Sequence, residues 1–202
     1  LKIVVKKIHI NESRDIAKIH QEEMASGFLP SLGIDFLTAF YEGIIGKIGV
    51  YGFKYEEKDV IVGFVIGTND SGRFFSQALR TNFIKLSFLL FIQIIKNPTV
   101  LKNVLETFLY TKKEGVSKAE LLVIAVSNKL QGKGVGKQLV RALERAFKKD
   151  KIRSYKLTVH ADKKAVGFYE HLGYLRVSSF NLYGKMWLVY EKEISRLPHS
   201  PS

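Results

Sequence analysis

The sequence contains no cysteine. Disulfides, thiolate metal sites and a cysteine nucleophile are therefore excluded, and a reducing compartment suits the chain. Proline is scarce, with 4 in 202 residues, so few backbone breaks are forced on helices and strands. Acidic residues are also in deficit: 19 Asp and Glu stand against 32 Lys and Arg, a formal net charge of +13. Such a field attracts polyanions, and it suits nucleic acid, anionic membrane and a phosphate-rich coenzyme equally. Long apolar runs are missing as well. The longest, Leu86 to Ile95, falls short of the roughly 20 residues that cross a bilayer. The opening residues Leu1-Lys2-Ile3-Val4-Val5 alternate like a strand and lack the apolar core of a signal peptide. The cytoplasm is the expected compartment.

What is present reads as one folded unit. A hydrophobic content of 46% with 12% aromatics rules out a disordered chain. The pattern predicts a strand over 2–8 and a helix from Asn11, with Asn11 or Ser13 as N-cap. A second helix is expected from Gly33 to about Ile45, then a hairpin of Ile48–Tyr55 and Val60–Ile66. Residues 73–113 form an aromatic and aliphatic stretch that Pro98 should divide into two helices. Next come a buried strand over Leu121–Val126, an amphipathic helix over Gly134–Lys149 and a strand over Tyr155–Val159. A helix over Asp162–Leu172 and two final strands complete the order. This is an α/β (α+β) arrangement, a mixed sheet flanked by helices with a helical insertion before Leu121. A single domain over 1–195 and a loose tail over 196–202 are expected.

The densest chemical signal is Val126 to Lys137. A buried strand ends, a short loop follows, and Gly132, Gly134 and Gly136 open a helix between Lys133 and Lys137. Bare backbone N–H groups at a helix N-terminus favour an anion, which points to a pyrophosphate site. A Walker loop does not fit, because Gly132 is one residue too close to Gly136 and Gln138 stands where Ser or Thr belongs. The dinucleotide fingerprint G-x-G-x-x-G is missed too.

Gln131-x-x-Gly134-x-Gly136 resembles the Q/R-x-x-G-x-G/A signature of the GNAT superfamily of N-acetyltransferases. Downstream, Asp162-x-x-Ala165-x-x-Phe168-Tyr169-x-x-x-Gly173-Tyr174 is similar to that family's N-x-x-A-x-x-L-Y-x-x-x-G-F segment, with Asp162 in place of the usual Asn. The likeness runs from about Glu120 to Val177. It implies a GNAT-like fold, acetyl-CoA as acetyl donor, no metal, and direct attack by a primary amine without an acyl-enzyme.

The resemblance also assigns residues. Main-chain groups of Ile124, Ala125 and Val126 would hold the coenzyme's pantetheine arm where their strand splays from the next. Backbone groups of Gln131, Gly132, Lys133, Gly134, Val135, Gly136 and Lys137 would hold its pyrophosphate. Asp162 would touch the arm, or else cap the helix that follows it. Tyr169 would protonate the departing thiolate, as a phenol of pKa near 10 can; elsewhere Phe168-Tyr169 would be an ordinary core pair. Glu120 is the candidate base, with His160 and a water relay as alternatives. Glu22 and Glu23 could face a basic acceptor or lie on an ordinary helix surface.

The acceptor stays open, an amino sugar or another small molecule being conceivable. The insertion is expected to wall the acceptor side, to extend the core or a homodimer interface, or to touch a membrane surface. No nucleic-acid or membrane partner is assigned. The rival function is a non-catalytic acyl-CoA sensor or a basic nucleic-acid binder on the same fold.

Overall fold

The computed structural model describes residues 4–110, 117–161 and 163–194. Asp162, the lysines at 112 and 113 and the tail at 196–202 lie outside the described residues. Alternating apolar positions build a seven-stranded sheet in the order β1-β2-β3-β4-β5-β7-β6. β1 (Val4–Lys7) pairs with β2 (Val50–Glu57), which forms a hairpin with β3 (Val60–Thr68). The hairpin turns on Lys58 and Asp59, both at positive φ (51° and 61°), as the tight turn of a right-twisted ribbon demands. β4 (Glu120–Val126) and β5 (Ser154–His160) are parallel. β7 (Lys185–Glu193) lies antiparallel between β5 and the edge strand β6 (Leu175–Leu182).

Helices cover both faces. α7 (Val135–Lys149) and α8 (Lys163–His171) pack on one side, where Leu139, Leu143 and Phe147 meet Tyr155 and Leu157. α1 (Ser13–Glu23) and α3 (Ile34–Ile44) pack on the other, where Ile16, Leu37 and Tyr41 meet Phe64 and Ile66. A one-turn helix, α2 (Phe28–Ser31), precedes α3 in a stretch that the sequence marked only as a break. Neither Asn11 nor Ser13 caps α1. A 3-10 turn at Ile10–Glu12 leads into it, and Ser13 Oγ donates to Ile10 O at 2.6 Å. Ile48, expected to begin a strand, is exposed in the turn before β2.

The insertion holds three helices rather than two: α4 (Ser71–Thr81), α5 (Phe83–Lys96) and α6 (Thr99–Tyr110). The extra break is at Asn82, which leaves helical geometry and donates its side-chain N–H to Ala39 O on α3 at 2.8 Å. A tertiary hydrogen bond makes that break, so helical periodicity did not reveal it. Leu86 of α5 and Val100 of α6 bury themselves against Leu32 and Phe36, forming a third core.

His20 sits inside the α1–α3 layer, sharing a 2.6 Å hydrogen bond with the Tyr41 hydroxyl and an edge contact with Phe64. Burial lowers its pKa from 6.5 to about 4. A depressed pKa makes its contribution present above pH 6.5 and lost as pH falls through that range toward 4. Unfolding titrations should show stability dropping by on the order of 3 kcal/mol between about pH 6.5 and 4. His20→Gln, which keeps an acceptor for Tyr41, should flatten that limb.

Candidate active site: a splayed strand pair beside a glycine loop

β4 is paired with β3 from Glu120, opposite Thr68, to Val126, opposite Gly63. With β5 only Glu120–Lys156 and Leu121–Leu157 are in register, although both strands have 7 residues. The ladder stops where β4 gains a residue. Leu121 faces Gly67 and Val123 faces Ile66, so Leu122 has no partner on β3. Such a bulge bends and twists its strand, and here it carries the rest of β4 away from β5. A wedge-shaped gap opens from Leu121 toward Val126.

Main-chain direction alternates along a strand, which decides which residues face the gap. Ser127 N–H donates to Val62 O at 2.8 Å, and the Ala125 carbonyl lies against Gly63 of β3. Ala125 therefore turns its main chain toward β3, and its side chain is buried under α1 and α3. Of the three residues expected to hold a ligand by their backbone, Ile124 and Val126 turn into the gap and Ala125 does not.

The glycine loop lies at the open end. Gly134 is the N-cap of α7 at φ 80°, with no side-chain cap and no acid in the first turn. The N–H groups of Val135, Gly136 and Lys137 have no acceptor within the helix; the first to close is Gln138, onto Gly134 O at 3.1 Å. Gly132 is also left-handed, at φ 76°, and an added Cβ there or at Gly134 would meet nothing within 4 Å. Those two glycines face open space. Gly136 has a different reason: a Cβ would come within 3.0 Å of the Phe168 ring. Its bareness lets α8 approach α7, which brings Tyr169 toward the strands.

Gln131 contributes its side chain as well as its place in the loop. Its amide donates to Val126 O (3.0 Å) and to Glu23 (3.3 Å), whose other oxygen accepts the Asn128 N–H (3.0 Å). Glu23 thus ties α1 to the loop, a brace that its place at a helix end did not disclose. Glu22 beside it is exposed. Lys133 gives its N–H to Leu130 O (3.3 Å) and Gln131 to Asn128 O (3.4 Å).

Tyr169 and Glu120 stand on opposite faces of the sheet. Tyr169 is buried among Phe168 and Tyr174, in the core below α7 and α8. Burial raises its phenol pKa further, so the hydroxyl stays protonated at neutral pH. Glu120 opens β4 with its carboxylate 3.9 Å from Lys156 Nζ, both largely buried. Burial pushes the Glu120 carboxyl above its ordinary 4.5, and Lys156 opposes the rise. The Thr158 hydroxyl borders that carboxyl without a well-formed hydrogen bond, the sole such buried polar atom among the described residues. The β4–β5 gap is where the two faces communicate.

Further along the Glu120 face, His160, Trp187 and Phe180 are directly opposed across β5, β7 and β6. The His160 and Trp187 rings meet edge to face at 5.7 Å. At the β6–β7 turn, Tyr183 packs on Phe28 of α2 (5.3 Å) and gives its N–H to Glu106 of α6 (2.8 Å). The insertion is thereby joined to the end of this floor.

Comparison with known proteins agrees with this fold. Residues 111–188 match the model of the acetyltransferase (GNAT) domain. The fold is that of the GNAT acetyltransferases. Solved structures with the GNAT fold align over nearly the whole chain. An N-acetyltransferase from Staphylococcus aureus Mu50 is 13% identical with a TM-score of 0.62, covering 96% of this chain and 100% of its own. The ribosomal-protein-S18-alanine N-acetyltransferase from Escherichia coli is 14% identical with a TM-score of 0.61, covering 99% of each chain. The PaiA N-acetyltransferase from Thermoplasma acidophilum, solved in complex with coenzyme A, is 13% identical with a TM-score of 0.56, covering 96% and 99%. No curated protein sequence matches significantly.

A raised carboxyl pKa stabilises the fold at low pH, and the contribution is lost as pH rises through the shifted value. Glu120→Gln mimics the neutral acid. It should equal wild type in stability below about pH 4 and exceed it above the shifted pKa. Denaturant unfolding across pH checks this, and equal pH dependence in the two proteins would show that Glu120 is not desolvated.

Proposed function

We propose that this protein transfers the acetyl group of acetyl-CoA to the primary amine of a small acceptor, in the cytoplasm, within a single domain over 1–195. The observation that carries the proposal is the gap between β4 and β5. It has an uncapped, basic helix N-terminus at its open end, a carboxylate on one face and a protonated phenol on the other.

A thioester-bearing arm laid in the gap pairs with main-chain groups of Ile124 and Val126, as an added strand would. Its pyrophosphate rests on the N–H groups from Gly134 to Lys137, between Lys133 and Lys137. The acceptor approaches over the floor of Thr158, His160 and Trp187. Glu120, ionised and held beside Lys156, takes a proton from the ammonium, directly or through a water on Thr158. The free amine attacks the thioester carbon, and a gap-facing N–H steadies the oxyanion. The C–S bond then breaks as Tyr169 gives its proton to the leaving sulfur, and the proton that the amide nitrogen sheds restores the phenol, while Glu120 releases its own to water. Acceptor amide and free CoA thiol leave, with no acyl-enzyme. Docked through Glu106 on the β6–β7 turn, the insertion walls the acceptor side and limits access of water.

A non-catalytic acyl-CoA sensor is the second reading, since binding requires only the gap and the loop. Release of CoA thiol from acetyl-CoA, screened against amines, amino sugars and peptide N-termini, separates the two. Binding without turnover on any amine would favour the sensor.

Acetyl-CoA at 100 times its Kd should stabilise the protein by about 2.7 kcal/mol, read as a higher Tm. Absence of binding by calorimetry at millimolar coenzyme would end the proposal. Tyr169→Phe should lower kcat by about 10²–10⁴-fold with the Kd for CoA nearly unchanged. An unaltered rate where chemistry limits would leave Tyr169 a packing residue.

A further inference from the structure

α5 buries one side and exposes the other. Leu86, Leu89, Leu90 and Ile94 pack toward α2, α3 and α6. On the opposite side Ile84, Phe88, Phe91 and Ile95 follow one another at helical spacing, forming one stripe. They are 84%, 63%, 61% and 67% exposed, and Leu101 and Leu105 of α6 are half-exposed. A lone exposed apolar residue needs no explanation, whereas a contiguous stripe along about three helical turns marks an interaction surface. Core packing does not account for it, because the inner side of α5 already meets its partners.

Charge indicates what covers the stripe. α4 and α5 contain Arg73, Arg80, Lys85 and Lys96 and no acid. α6 adds Lys102, paired at 3.8 Å with Glu106, which also accepts the Tyr183 N–H. A second copy of the chain, also at +13, would set these cations against their own images across a self-complementary contact. An anionic bilayer offers the complement: hydrocarbon for the stripe and phosphate for Lys96 on its flank, Lys85 being paired at 3.0 Å with Glu42 of α3. Among the described residues no helix is long and apolar enough to cross a membrane. At 14 residues, or about 21 Å, α5 is suited to lying along one.

We infer that α5 docks this protein peripherally on an anionic membrane surface, with Ile84, Phe88, Phe91 and Ile95 at the boundary between headgroups and acyl chains. The docking surface is separate from the β4–β5 gap and stands whether or not the proposed transfer is correct. The test is co-sedimentation of the whole protein with vesicles of phosphatidylcholine containing about one third phosphatidylglycerol, against phosphatidylcholine alone. Binding is expected only to the anionic vesicles, weakening as salt rises. Phe88→Ser with Phe91→Ser should reduce it by about tenfold or more. Arg80→Glu with Lys96→Glu, which leaves the stripe intact, should do the same. These side chains are exposed, so Tm should stay near that of wild type, which verifies the fold. No binding of wild type to anionic vesicles would overturn the inference, as would equal binding by both double variants. A dimer in light scattering that falls apart in the Phe88/Phe91 variant, without vesicle binding by wild type, would assign the stripe to self-association instead.

Discussion

The unpaired residue at Leu122 is the constraint on which the site depends. Without it β4 and β5 would pair along their whole length, and the sheet would be continuous. One additional residue on β4 reverses which main-chain groups face which neighbour. Before the bulge Ala119 O accepts the Lys156 N–H of β5; after it Ser127 N–H goes to β3. Ile124 and Val126 are consequently left with main-chain groups turned toward a strand that has moved away. An unpaired sheet edge is a template for another extended chain, and a pantetheine arm has that shape.

Burial divides the chemistry between the faces. Tyr169 is packed among aromatic rings, where an ionised phenol would be poorly solvated, so its proton is retained. Glu120 is desolvated too, but Lys156 stands 3.9 Å away and moderates the penalty of its charge. The same physical term, loss of hydration, thus preserves an acid on one side and tunes a carboxylate on the other. Both groups are held by secondary structure, on either side of the gap. The glycine loop is equally restrained, with Glu23 and Gln131 fastening it to α1 and to the end of β4.

The insertion serves packing and surface together. Its inner residues enlarge the core over α2 and α3, and Glu106 secures the β6–β7 turn beside the aromatic row of Trp187 and His160. Its outer residues are apolar where an ordinary surface helix would be polar. The sequence-based alternatives of wall and core extension are therefore compatible, since opposite sides of α5 and α6 carry different contacts.

Local patterns were enough to place most elements and the glycine loop that opens α7. A helix beginning at alternate glycines, and the aromatic pair at Phe168-Tyr169, depend on residues only a few positions apart, and such spacings survive in a linear reading. The bulge at Leu122, the outward turn of Ala125's main chain, the break at Asn82 and the brace from Glu23 were not legible. Each depends on a partner far along the chain: Gly67 and Ile66, Gly63, Ala39, and Asn128 with Gln131. Even Gly136, noticed as part of a loop, is bare because Phe168 of another helix lies against it. Sequence by itself determined which segments are helical or extended and where glycines open a helix, because these follow from short-range periodicity and backbone freedom. Which main-chain groups turn into the gap was decided only by the tertiary structure, because hydrogen-bond direction on a strand is set by the register of its neighbours.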